Sequence, residues 1–203
     1  MKGSLIIIAF FVLGIVVGLQ SSTFNFQFST FNFQSSTFIL YALMFCVGIS
    51  IGSDTKTLKS FRGVNPQLMM LPMMTIVGTL AGTTAASAFL PHRHLFDCLA
   101  IGSGFGYYSL SSIFITEYKG AELGTIALLS NIMREIITLL CAPLLVRYFG
   151  KLAPISMGGA TTMDTTLPII TRTSGQNYVI VSIFHGFCVD FSVPFLVTFF
   201  CSL

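Results

Sequence analysis

The chain has 203 residues, 54% of them hydrophobic and only 8% charged, with a mean hydropathy of +0.86. A soluble chain is about 25% charged, so this one cannot cover its own surface in water. The composition predicts an integral membrane protein, one domain over residues 1–203, and a net charge of +3 from scattered basic residues gives no basis for nucleic-acid binding.

A spanning helix needs about 20 apolar residues. Residues 4–20 are the first predicted span. Lys2 and the apolar run after it resemble a secretory signal, but residues 18–22 offer no small-x-small cleavage site, which predicts an uncleaved helix. Residues 22–38 repeat Ser-Thr-Phe-Asn-Phe-Gln with alternating polar and aromatic positions, a period-two pattern that fits a loop with Phe side chains at the lipid interface. The second span is 38–52 and the third runs from 65 or 66 to 90. The fourth, 98–116, is rich in Gly, Ser and Tyr. The fifth is 123–148 and the last is 178–202.

Residues 155–170 differ from these. They hold Gly158, Gly159, four threonines, Asp164 and Pro168. As one helix they would reach about 24 Å, short of the ~30 Å core. Gly- and Pro-interrupted backbone is tolerated at membrane depth only where protein or a cavity surrounds it. A broken or re-entrant helix is predicted there. The fold expected is an all-α multipass bundle of about six spans plus this segment.

Continuous spans would place Lys2, Lys56, Lys59, Arg62 and Lys119 on one side, and Arg93, Arg147 and Lys151 on the other. Basic residues favour the cytoplasmic side, so the N-terminus is expected in the cytoplasm. The side of the C-terminus stays open.

The five cysteines are spread over four apolar segments, with Cys188 and Cys201 sharing the last, and form no CxxC pair; neither a metal site nor a cofactor is expected. Polar groups within apolar spans are costly and usually functional. Glu135 lies mid-way along the fifth span, with Asn131 and Thr138 on its face and able to hydrogen-bond it. Arg134 is about 100° away round the helix. Asp164 sits in the broken segment among Gly159, Thr161, Thr162 and Thr165, where unpaired backbone groups form ion sites. It also fits as a cap of the second half-helix. His185 and Asp190 lie in the last span, about 140° apart by helical rotation. His185 reads as a packing residue or a proton relay. The stretch 102–109 imitates a phosphate loop without its GK[ST]. Its dense Gly and Ser permit close helix crossing or line a pathway. Asp164 and Asp190 lack the GxGD setting of an intramembrane protease, and no enzyme is expected.

Four stretches together resemble the bacterial lysine exporter family. They are Ser103-Gly104-Phe105-Gly106-Tyr107-Tyr108-Ser109-Leu110-Ser111, Asn131-Ile132-Met133-Arg134-Glu135, Gly159-Ala160-Thr161-Thr162-Met163-Asp164 with Leu167-Pro168, and His185-Gly186-Phe187. The family's membrane-embedded acids fall on Glu135 and Asp164; Asp190 has no acidic counterpart. The resemblance implies a cation-coupled exporter of L-lysine and close analogues in the bacterial inner membrane, exchanging lysine for protons or another ion. Depth, setting and the resemblance together give a candidate substrate or ion site of Glu135, Asp164, Asn131, Thr161, Thr162, Thr165, Gly159, Ser103, Gly104, Tyr107 and Ser109, with Arg134, His185 and Asp190 as further candidates. Full-length members carry about three helices more, so a small membrane subunit supplying them, or a homodimer, is the expected partner. An accessory membrane subunit that does not itself transport, or an exporter of another small cationic solute, is the alternative.

Overall fold

The structure is a computed structural model and describes residues 66–90 and 93–203. The first two spans, the repeat at 22–38 and the N-terminal sidedness lie outside the described residues. Those described are helical: α1 (Pro66–Met69), α2 (Leu71–Ser87), α3 (Leu95–Gly102), α4 (Tyr108–Lys119), α5 (Ala121–Phe149), α6 (Ala153–Gly158), a 3-10 turn (Gly159–Met163), α7 (Leu167–Ser174), a second 3-10 turn (Gln176–Tyr178) and α8 (Val179–Cys201).

Two helices among the described residues are long and apolar enough to cross a bilayer, Ala121–Phe149 and Gln176–Cys201. Leu129, Met133, Ile136 and Leu140, spaced along one face of α5, are all exposed. Water would penalise such a stripe and lipid would not. The chain is a helical membrane protein.

The predicted fourth span is not one helix. It breaks at residues 103–107 into α3 and α4, roughly 12 and 18 Å long, neither long enough to cross. Lys119 at the end of α4 lies 3.5 Å from Asp97 at the start of α3, and Arg93 pairs with Glu122. Both arms therefore open at the same end of the bundle. The segment 95–119 enters, turns and returns.

Residues 153–174 repeat the device from the opposite end. The Ser174 hydroxyl donates to the Lys151 carbonyl at 2.8 Å, which closes the base of this second hairpin. Ile155, Ile170 and Val181 form a buried cluster there with Leu68, Leu71, Leu152 and Tyr178. The interruption predicted for 155–170 is present, and the segment turns back rather than crossing.

Each hairpin is followed, across a positive-φ glycine (Gly120 or Gly175), by a long helix, so α3–α5 and α6–α8 are two units of the same plan and opposite sense. Such inverted repeats with broken helices recur in transporters. The arrangement corrects the charge grouping read from continuous spans. Lys119 shares an end with Arg93, and Arg147 and Lys151 lie together at the other end.

Candidate functional site

The two hairpin tips meet beside the middle of α5. The Ala160 N–H donates to the Phe105 carbonyl at 2.9 Å, joining one tip to the other. Phe105 is fully buried and holds φ of 45°, a region a bulky residue rarely adopts. Such backbone persists only where its surroundings over-determine it. Here the surroundings are α5 and the opposite tip.

Helix α5 supplies both clamps. Asn131 Oδ1 accepts from the Gly106 N–H at 2.8 Å. Its amide nitrogen donates to the carbonyls of Ile101 at 3.2 Å and Ala127 at 2.9 Å. Three residues on, Arg134 serves the other hairpin. Its Nε donates to the Met157 carbonyl at 2.8 Å and Nη2 to the Ser156 carbonyl at 3.1 Å. These belong to the last turn of α6, where unpaired carbonyls and the helix dipole favour a cation. The guanidinium also lies 5.8 Å from the Phe105 ring centroid.

The neighbours expected for Glu135 are therefore occupied elsewhere. Asn131 holds the first tip, and the Thr138 hydroxyl donates to the Arg134 carbonyl at 2.8 Å. Glu135 is half-buried between the two clamps and has no hydrogen-bond or ion-pair partner among the described residues.

Asp164 closes the second tip and is exposed, accepting from the Thr165 N–H at 2.6 Å. It does not cap α7, whose N-cap position is Thr166, without a side-chain cap bond. The break is held from within instead. The Thr161 hydroxyl donates to the Gly158 carbonyl at 2.9 Å and meets the Thr166 hydroxyl at 3.2 Å.

Thr162 joins the tip to α8. Its hydroxyl lies 2.8 Å from the Gly159 carbonyl, 2.9 Å from the Ser182 carbonyl and 3.2 Å from His185 Nδ1. One hydroxyl proton serves a carbonyl, so toward His185 the oxygen accepts and Nδ1 carries the proton. His185 Nε2 then accepts from the Thr75 hydroxyl at 2.9 Å. Both ring nitrogens are thus occupied, and α2, the second tip and α8 are tied at one depth.

Of the other expected site residues, Gly104 is pressed against Asn131, where an added Cβ would come within 2.5 Å of its amide nitrogen. Ser103 is buried, donating to the Leu99 carbonyl at 2.7 Å. Tyr107 is half-buried at the first tip, whereas Thr165 and Ser109 are exposed, Ser109 on the outer face of α4. Sequence reasoning missed Phe105, Thr75 and Thr79 as parts of this junction. Thr79 lies 3.4 Å from Arg134 Nη1, and nothing local in the sequence marks it. A cleft of about 510 Å³ opens beside Arg134, lined by Thr75, Thr79, Ser156 and Met157 with apolar Met74 and Phe149.

Removing the Asn131 amide tests the first clamp. Asn131→Ala leaves the buried Gly106 N–H without an acceptor, at about 1–3 kcal/mol. A thermal melt in detergent should fall by several degrees, and an unchanged melt would remove Asn131 as the clamp.

The family described as lysine exporter LysO matches residues 8–201. The lysine exporter LysO of Escherichia coli is 37% identical over 161 residues, which cover 79% of this chain and 53% of that protein. A putative lysine exporter of Haemophilus influenzae is 35% identical over 164 residues, covering 81% of this chain and 83% of its own length. The chain thus spans about half the length of the Escherichia coli relative. No solved structure matches it.

Proposed function

We propose that this chain, which belongs to the lysine exporter LysO family, forms the part of a bacterial membrane transporter through which L-lysine leaves the cell in exchange for protons. The observation that carries the reading is the tip-to-tip bond between Phe105 and Ala160. Two broken hairpins from opposite ends, joined at mid-bundle beside the helix that carries Glu135, match the setting in which transporters bind ions and zwitterions.

Glu135 and Asp164 are the proposed acids. Lysine brings two ammonium groups and one carboxylate, and each acid takes one ammonium. Moving a +1 solute outward against an inside-negative potential costs about 2.3 kcal/mol per 100 mV. One entering proton cancels that movement of charge, and two let the potential drive export.

The proposed orientation follows the corrected ends. Arg147 and Lys151 lie at the base of the second hairpin with Arg172 in the last turn of α7, and Leu68, two residues after the first described one, packs into the cluster there. Lys56, Lys59 and Arg62 precede that point in sequence. This end faces the cytoplasm, and Arg93 and Lys119 face outward. A small membrane subunit or a second copy is part of the proposal. Among the described residues nothing lies within 4 Å of a Cβ added at Gly78 or Gly82 of α2, and small residues of this kind permit close approach of another helix.

Vesicles loaded with one labelled amino acid at a time test the reading. A substrate with one ammonium leaves an acid unpaired, at about 1–3 kcal/mol or more when charged. Lysine should leave at least tenfold faster than leucine, and a thioether analogue that keeps both ammoniums should pass. Arginine's wider planar fork should be rejected by shape. Leucine leaving as fast as lysine would show that the two acids do not read the two charges.

A further inference from the structure

Asp190 is 93% buried, with 7% of its surface accessible, and it has no hydrogen-bond or ion-pair partner among the described residues. A buried carboxyl without a partner is costly, so its surroundings bear on function. One turn earlier on the same face of α8 is Gly186, where an added Cβ would come within 2.7 Å of the Met163 nitrogen. The backbone of α8 is thereby pressed against the second tip, next to Asp164. Asp190 continues that face. The carboxyls of Asp164 and Asp190 interact electrostatically with each other and with the Tyr107 phenol of the first tip. The two tips and α8 thus bring a buried acid, an exposed acid and a phenol to one place.

We propose that Asp190 and Asp164, beside Tyr107, form a two-carboxylate pocket for one exchangeable positive charge, a proton when empty and a primary ammonium when loaded. It deepens the export reading and rests on it only for the identity of the ammonium. A buried carboxylate at Asp190 beside the negative charge of Asp164 is costly, and a proton or a cation taken up there removes that cost. Asp164 is the exposed member of the pair and Asp190 the buried one, and a phenol can donate to a carboxylate oxygen.

Of the other ionisable groups on the elements packed around α8, Glu117 of α4 keeps a buried Oε1 without a hydrogen-bond partner, and the following are committed elsewhere. Arg134 is turned to the carbonyls of Ser156 and Met157. His185 is bonded through both nitrogens to Thr75 and Thr162. Asp97 and Lys119 pair with each other near one end. Among the described residues no cluster of three or more His, Cys, Asp and Glu is spaced to hold a metal ion, and the pocket is drawn for a monovalent cation.

The test uses the purified full chain in lipid and the infrared carboxyl stretch, with methylammonium as the probe. Wild type should show a protonated-carboxyl band that methylammonium removes, with about one proton released per cation bound. Asp190→Asn and Asp164→Asn should each lose that band and weaken methylammonium binding at least tenfold, whereas Thr125→Ala, at an exposed position of α5, should keep both. A wild-type band insensitive to methylammonium would overturn the pocket without any variant. So would a band and affinity unchanged in Asp190→Asn. Because the probe is not lysine, failure of the pocket and failure of lysine export are read separately.

Discussion

Glu135→Gln should abolish lysine export while leaving the bundle folded. Glu135 is the central residue of α5, about 21 Å by helical rise from Ala121 and from Phe149. It sits between Asn131, which clamps the first tip, and Arg134 and Thr138, which face the second. No described residue bonds or pairs with it, so glutamine removes no structural partner and keeps the side chain's size. Stability should change by less than about 0.5 kcal/mol, as for a substitution that breaks no packing or bond. Export loses both the charge that takes an ammonium and the group that takes a proton. A hydrogen bond to a charged group contributes about 1.5–3 kcal/mol, or tenfold to roughly 150-fold in affinity. Without a titrating acid, export should fall further, below about 1% of wild type. Labelled lysine leaving vesicles at the wild-type rate from this variant would end the proton-carrier role for Glu135.

How much of this was legible in the sequence varies by residue. The break at Gly158–Pro168 could be read because two glycines, an aspartate and a proline in one short segment defeat a continuous helix locally. The break at 103–107 could not. Gly and Ser at that density fit a close helix crossing as well as a turn, and the deciding contacts come from elsewhere. Asn131 reaches Gly106 from 25 residues away, and Ala160 reaches Phe105 across the whole of α5. Reading 98–116 as one span reversed the expected side, relative to Arg93, of Lys119, Arg147 and Lys151 together. Glu135 and Asp164 were found from depth and setting. Their expected partners were not, because helical spacing shows which residues share a face and not which neighbouring backbone competes for them.

Gly159→Ala should have the largest effect on the fold, because this glycine stands where the hairpins touch. Its backbone sits at φ 64° and ψ −127°, which costs a residue with a side chain about 1–3 kcal/mol. Space is the second constraint. An added Cβ would overlap the Phe105 carbonyl oxygen and come within 3.1 Å of its carbon and 3.4 Å of Arg134 Nη2. Backbone cannot swing aside as a side-chain end does, so the tips must part. Parting them breaks the Ala160-to-Phe105 bond and leaves a buried donor unpaired, about 1–3 kcal/mol more. A total near 4 kcal/mol corresponds to a melting temperature lower by about 10 °C for a chain of this size. Gly150→Ala is the control, since Gly150 also has positive φ, at 87°, but an added Cβ meets nothing within 4 Å. It carries the backbone penalty alone and should lower the melt by only a few degrees. The difference between the two variants isolates the contact between tips. If both fell equally, the junction would add nothing to stability, and Phe105 would be held in its unusual backbone by α5 alone.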